Sequence, residues 1–423
     1  MRQKLSAILL MLSTYVDWFL LRRSPVGATR SGSSERSPRL LIVPCDPWSV
    51  VGSRGDQAMI LAAIDYYRSK YASLDIDLVT TGDFDEETFH LPEGVRCLKV
   101  WQGRFLLRSI LRGIPDAPDH VVVLGADVMD GHYAPLTSLV LLALSDLFLR
   151  RAADVHLLGL SFNTSPSAWL RPAFNAAHPQ LRFGCRDEVS FQRLKQFTAH
   201  KNIRLVADAA FRMQPSDVFE QFAEYRDWCE QRRESGRTLL GLNLHNMLFI
   251  GYRNEAQRNE QWLECVIGAL KVFLQREEDI DLVLMPHDFR TLTGDCLVLD
   301  PIFDALSEFD SRIYYLRDDI AANQIKGMVS QIDALISCRM HLAIAALGQG
   351  IPVLGVTYQG KFDGLFRHFD LKGENIFVDP ALVEDSEYLL SYLDGFYQNI
   401  PSLRERVKQE LPKVLALSEQ NFG

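Results

Sequence analysis

From Arg39 onward, short aliphatic runs alternate with longer stretches whose apolar residues recur at helical spacing. "LLIVPC" is followed by "QAMILAAIDYYRSKY", then come "IDLVTT", "HVVVLGAD" with "LTSLVLLALSDLFLRR", "VHLLGLSF", "LRFGCRD" with "VSFQRLKQF", and "IRLVAD". Strands alternating with helices predict a parallel, doubly wound sheet. A polar segment from Gln214 to Arg237 interrupts the rhythm, which resumes with "TLLGLNLH", "WLECVIGALKVFLQ", "IDLVLMPHD", "RIYYLRD", "DALIS", "HLAIAALGQG" and "PVLGVTY".

The expected architecture is α/β, with two Rossmann-like doubly wound domains facing a cleft in a GT-B-like arrangement. The predicted parts are an N-terminal apolar segment with a flexible linker (1–38), a first domain (39–213), a linker (214–237), a second domain (238–384) and C-terminal helices (385–423). In such sheets ligands bind beyond the carboxyl ends of the strands, so residues directly after each strand are the candidates.

The N-terminal run is broken by Asp17. On a helical wheel Gln3, Ser6, Ser13, Thr14 and Asp17 gather on one side, with Leu5, Ile8, Leu9, Leu12, Tyr15, Val16 and Phe19 opposite. That suits a helix lying in a membrane interface through residues 5–21 and dispensable for chemistry; a signal anchor and a helix docked on the protein are the alternatives. The Gly/Ser-rich stretch Ser24 to Pro38 reads as flexible.

At 423 residues, with 47% hydrophobic and 23% charged, the chain is a globular protein too long for one core. A net charge of -9 without a basic cluster excludes a nucleic-acid partner. Any anionic ligand must be met by individually placed cations. Seven scattered cysteines, with no C-x-x-C pair, point to neither disulfides nor a structural metal, and suit a reducing, cytoplasmic compartment. Cys338 is a nucleophile or a buried thiol.

In "DALISCRMHLAIAALGQGIPVLGVTYQGKFDG" (Asp333 to Gly364) a strand ends at Ser337 and a buried helix begins after Arg339. A helix amino end favours an anion, Arg339 offers a fork for carboxylate or phosphate, and a bound anion would favour protonated His341 as general acid. Capping and packing are the plain alternatives. On this reading Arg339→Lys weakens ligand binding and hardly changes folding. Tyr358 and Lys361 follow the next strand and reach the same crevice. His287 in "LVLMPHD", and His245 with Asn246, also follow strands.

In the first domain, Asp56 opens a helix and is an N-cap or a ligand contact. Asp127 and Asp130 follow a strand, where they contact sugar hydroxyls or a divalent ion, or form a turn. Arg186 with Asp187 gives a second anion contact or a plain salt bridge.

The set "GSRGDQAM", "LGADVMDG", "CRDEVSFQRL", "VADAAF", "MPHD" and the Asp333–Gly364 block resembles the polysaccharide pyruvyl transferase family over about residues 41 to 375. The resemblance implies a GT-B-like fold and transfer of a pyruvyl group from phosphoenolpyruvate to a sugar, as a ketal. It implies that Arg339 and His341 are the phosphoenolpyruvate-site pair in the second domain, with Lys361 and Arg186 assisting and the first domain on the acceptor side. The base for the sugar hydroxyl is Asp127, Asp56 or His287. No cofactor is implied, and the acceptor is a sugar or lipid-linked oligosaccharide, met in the cytoplasm at the inner face of the membrane. The family's N-x-G-D-E loop reads "SRGDQ" here, with Ser53 and Gln57 in place of the amide and the carboxylate. A glycosyltransferase using a sugar nucleotide, or a silent scaffold subunit, would share the fold.

Overall fold

The computed structural model describes every residue except 1, 24–35, 48–52, 104–105, 217–220, 358–361, 372, 374–375 and 384. Two compact units form, the first from Met1–Val51, Met59–Met213 and Ala416–Gly423, the second from Gly52–Ala58 and Gln214–Leu415.

The first unit's strands are β1 (Arg39–Val43), β2 (Asp75–Val79), β3 (Val95–Leu98), β4 (His120–Ala126), β5 (Asp154–Leu160), β6 (Phe183–Cys185) and β7 (Ile203–Leu205). They form one parallel sheet in the order β3-β2-β1-β4-β5-β6-β7. Its helices are α1 (Arg2–Leu21), α2 (Arg54–Lys70), α3 (Glu86–Phe89), α4 (Leu106–Gly113), α5 (Pro135–Arg150), α6 (Arg171–Ala176) and α7 (Glu188–Phe197). Strand β1 is buried at every position, as a parallel strand covered on both faces must be. Leu41, Val43, Val121 and Val123 share a core with Leu139 to Leu144 of α5.

The second unit repeats the plan. Strands β8 (Thr238–Asn243), β9 (Ile280–Leu284), β10 (Ile313–Tyr315), β11 (Ala334–Ser337), β12 (Val353–Val356) and β13 (Phe377–Val378) form a parallel sheet ordered β10-β9-β8-β11-β12-β13. The helices are α8 (Ala223–Glu234), α9 (Glu255–Arg276), α10 (Cys296–Ala305), α11 (Ala322–Val329), α12 (Met340–Leu347), α13 (Asp363–Arg367) and α14 (Ser386–Glu419). Leu240, Leu242, Ile336 and Leu354 pack with Val266, Leu270 and Phe273 of α9.

Three boundaries differ from those expected. The expected linker 214–237 contains a packed helix: α8 buries Tyr225 and Cys229, one turn apart, and Tyr225 Oη donates to Met328 O at 3.0 Å. The C-terminal residues do not stand apart. Ser418 Oγ donates to Asp208 O at 2.7 Å, Asn421 Oδ1 accepts from Gly159 N at 2.8 Å, and Phe422 stacks on Tyr66 at 4.3 Å, all within the first unit.

The third difference is α1, which belongs to the first unit's core rather than forming a dispensable segment. Met11 and Trp18 are buried, and Trp18 Nε1 and Arg22 Nε both donate to the fully buried Asp146, at 2.9 and 2.8 Å. Asp17, on the polar side of the helical wheel, turns inward to Arg108 at 2.7 Å. An ion pair and an indole hydrogen bond thus anchor a face the wheel had marked as polar. No helix among the described residues is long and apolar enough to cross a membrane. Most of the Ser24 to Pro38 stretch lies outside the described residues.

Candidate active site

In the second sheet the strand order reverses direction between β8 and β11, the switch point at which such sheets bind ligands. Asn243 closes β8 and Ser337 closes β11, and both are fully buried. Ser337 Oγ lies 3.3 Å from Asn243 Oδ1 and accepts from Arg339 N at 3.0 Å, fixing the turn into α12. Asn243 Nδ2 donates to Met285 O at 2.9 Å and to Asp295 Oδ2 at 2.8 Å, which ties β8 to the loop after β9.

Asp295 is the hub of that loop. Its Oδ2 also accepts from His287 N at 2.8 Å, and its Oδ1 accepts from Arg339 Nε at 2.9 Å and Nη2 at 2.7 Å. Burial pushes its carboxyl above the ordinary value, and Arg339 beside it works the other way. Arg339 Nη2 further donates to Thr293 O at 3.0 Å, and Nη1 lies 3.2 Å from Asp288 Oδ2. Every guanidinium nitrogen of Arg339 therefore has a protein partner. This corrects the expectation of a fork held out for an anion with little bearing on folding: the side chain holds two buried carboxylates. Sequence reasoning missed Asp295, Asn243 and Asp288. An asparagine at the end of an apolar strand was a signal; "TGDCLVLD" around Asp295 offers only a helix start.

His341, in the first turn of α12, is half-buried. A Cβ built on Gly55 would stand 2.4 Å from His341 Nδ1, so only glycine lets backbone approach the imidazole this closely. The rest of "SRGDQ" is bound to the same unit. Ser53 bridges Asp288, Arg54 Nε donates to Ile320 O at 2.6 Å while its Nη2 pairs with Asp319, and Gln57 Oε1 accepts from Ala322 N at 2.7 Å, at the start of α11. Arg54 and Gln57 are fully buried. Gln57 thus caps a helix, a role its amide performs without the cost of burying a carboxylate. Asp56 is half-buried in the first turn of α2, inside the helix rather than at its cap, and its charge acts on Arg290.

His287 is buried, and desolvation first, then the charges of His341, Arg339 and Arg54, hold its pKa well below the ordinary histidine value. It is a neutral imidazole in the folded chain. His245 is buried, its Nδ1 accepting from Met247 N at 3.0 Å. Burial pushes the Cys338 thiol up, which removes it as a nucleophile. Tyr358 and Lys361 lie outside the described residues.

The remaining candidates sit in the first unit. Arg186 Nε donates to Ser161 Oγ at 2.7 Å and Nη1 to Asp208 Oδ2 at 2.9 Å, a buried pair that corrects both the free anion contact and the expected pairing with Asp187. Asp187 instead caps α7 by accepting from Ser190 N at 2.7 Å. Asp130 is a turn aspartate, accepting from His132 N at 2.9 Å and Asn163 N at 2.6 Å. Asp127 is half-buried directly after β4, behind Ala126 at φ 43°, a left-handed conformation that costs a non-glycine residue about 1 kcal/mol. Among the described residues no group of three or more His, Cys, Asp or Glu could hold a metal ion.

Two parallel sheets with interleaved helices, and a polar constellation at a switch point, define a GT-B-like α/β fold. A UDP-N-acetylglucosamine 2-epimerase shares the fold at a TM-score of 0.56 and 13% identity, over 91% of this chain and 94% of that one. The UDP-GlcNAc 2-epimerase from Neisseria meningitidis, bound to UDP-GlcNAc, aligns at 0.52 and 11%, over 90% and 98%. A ugt transferase from Siraitia grosvenorii in complex with UDP aligns at 0.52 and 8%, over 91% and 98%. At such identities the likeness is one of fold alone. No curated protein matches the chain in sequence. The model of the polysaccharide pyruvyl transferase family matches residues 54–360, and the chain belongs to that family of transferases.

Proposed function

We propose that the chain moves the pyruvyl group of phosphoenolpyruvate onto a sugar of a cell-surface polysaccharide, or of its lipid-linked precursor, as a ketal. The observation that carries this reading is His341 at the amino end of α12, against Gly55 and beside the locked Arg339, in a chain of the pyruvyl transferase family. A helix amino end and local cations suit a donor bearing carboxylate and phosphate. Lys361 and Tyr358 complete the anion site in this reading, and Arg339 acts by fixing the turn that aims α12.

In the proposed step His341 gives a proton to the methylene carbon of phosphoenolpyruvate, and C2 becomes electrophilic. One sugar hydroxyl adds to C2, the bond from C2 to the phosphate oxygen breaks, and a second hydroxyl closes the ketal. Of the two hydroxyl protons, one restores His341 and the other leaves with phosphate, so no oxidant or cofactor is needed. The base for the sugar hydroxyl is His287, Asp56 or Asp127 in this reading, and His287 is held in the neutral form that can accept a proton. The reaction takes place in the cytoplasm at the inner face of the membrane, where lipid-linked sugars are assembled.

The test is incubation of the full chain with phosphoenolpyruvate and a panel of nitrophenyl and lipid-linked sugars, following phosphate release and the mass gain of pyruvylation. His341→Asn should keep the fold and cut turnover by about 10² to 10⁴-fold. Turnover of a UDP-sugar, with none of phosphoenolpyruvate, would overturn the proposal in favour of glycosyl transfer.

A further inference from the structure

Helix α1 is bound to the first unit by one side only. Met11, Asp17 and Trp18 are buried there, whereas Ile8, Leu9, Leu12, Val16, Phe19 and Leu20 are each 39% to 58% exposed. At 100° per residue these six occupy an arc of about 120° on which no polar residue falls between positions 8 and 20. Trp169, itself 43% exposed, lies beside Leu12 and Tyr15 and extends the apolar surface beyond the helix. An amphipathic helix that packs its mixed face and bares its apolar one inverts the usual arrangement, and the bare face needs an occupant.

Charge and area select the occupant. The only carboxylate of α1, Asp17, is turned inward and paired with Arg108, so the exposed face carries no negative charge. Exposed Arg23 continues the same arc and stacks 4.3 Å over the Phe19 ring, a cation at the border of an apolar strip. The strip offers on the order of 600 Å² of apolar surface, below the ~800 Å² that each partner of a stable dimer buries. An indole and an arginine flanking aliphatic side chains is the composition of a surface that sinks into the headgroup boundary of a bilayer.

We propose that the bare face of α1, with Trp169, docks on an anionic lipid bilayer, lying in the interface without crossing it. This deepens the functional reading, because it brings a lipid-linked sugar within reach of the enzyme.

The test is co-sedimentation of the full chain with vesicles of phosphatidylcholine, with and without a minority of phosphatidylglycerol. The chain should bind the anionic vesicles more tightly, and added salt should weaken that preference. The triple variant Leu9→Ser/Leu12→Ser/Val16→Ser, which touches only exposed positions, should keep its urea unfolding midpoint and bind on the order of 100-fold more weakly. Failure of the parent to sediment, or equal binding by the triple variant, overturns the proposal. So does a dimer in lipid-free buffer that the triple variant dissolves while neither protein binds vesicles, which assigns the face to a second copy. The vesicles contain no substrate, so absence of pyruvyl transfer to a soluble sugar would count against the functional reading and leave this one standing.

Discussion

Replacing Arg339 by lysine keeps the charge and removes the fork. In the parent, Nε and Nη2 share Asp295 Oδ1 at 2.9 and 2.7 Å, Nη2 also reaches Thr293 O at 3.0 Å, and Nη1 stands 3.2 Å from Asp288. One ammonium nitrogen cannot stand where Nε, Nη1 and Nη2 each stand, so it cannot serve Asp295, Thr293 O and Asp288 together. Charge-assisted hydrogen bonds contribute about 1.5 to 3 kcal/mol each, non-additively, and breaking a buried pair costs roughly 3 to 5 kcal/mol. Asp295 keeps donors from Asn243 and His287, so the loss for Arg339→Lys should be about 2 to 4 kcal/mol. Urea unfolding at neutral pH measures it, and Asp295→Asn with the double variant completes a cycle whose coupling should exceed ~1 kcal/mol, since the two groups touch. A lysine variant as stable as the parent, with a raised KM for phosphoenolpyruvate, would refute the reasoning and return the fork to the ligand.

Gly55→Ala should push the His341 ring aside and lower kcat at least tenfold while urea stability changes little, because alanine favours the helix by up to about 1 kcal/mol and offsets part of the clash. His287 is held neutral in the folded chain, so below the unfolded-state pKa of about 6.5 the unfolded chain takes up a proton that the folded chain refuses. Stability from this group is complete above that pH and falls as pH drops, by up to about 1.4 kcal/mol per unit; His287→Gln should flatten urea-measured stability between pH 5 and 6.5. Gln57→Ala leaves the buried Ala322 amide without its acceptor and should cost about 1 to 3 kcal/mol in the same assay. Trp18→Ala should destabilise by about 3 to 5 kcal/mol, against a near-zero change if α1 were a detachable anchor.

Strand and helix order was legible because burial writes itself into the chain. β1, β4, β8 and β11 are dominated by aliphatic residues, and Asn243 and Ser337 close β8 and β11 at the switch point of the second sheet. What stayed hidden were partnerships across long separations. Arg339 reads as a free cation until the fold brings Asp295, more than forty positions earlier, against it. Arg186 reads as the partner of its neighbour Asp187, yet backbone geometry hands Asp187 to α7 and leaves Arg186 to Asp208. The wheel of α1 separated polar from apolar positions correctly but not their destinations, because one buried acid and one indole outweigh several aliphatic side chains in choosing the docked face.

Each unit borrows a piece of chain from the far side of the sequence: residues 52–58 in one case and 416–423 in the other. The first sheet is therefore unfinished until Asn421 and Phe422 arrive to satisfy Gly159 and cover Tyr66. During synthesis the N-terminal half must wait, partly open, for residues made some two hundred positions later, and closing so long a loop is slow. A fragment cut at the obvious junction near residue 213 would carry all seven strands and still present an open flank, so expression of either half alone should yield aggregation-prone material even where every strand is present.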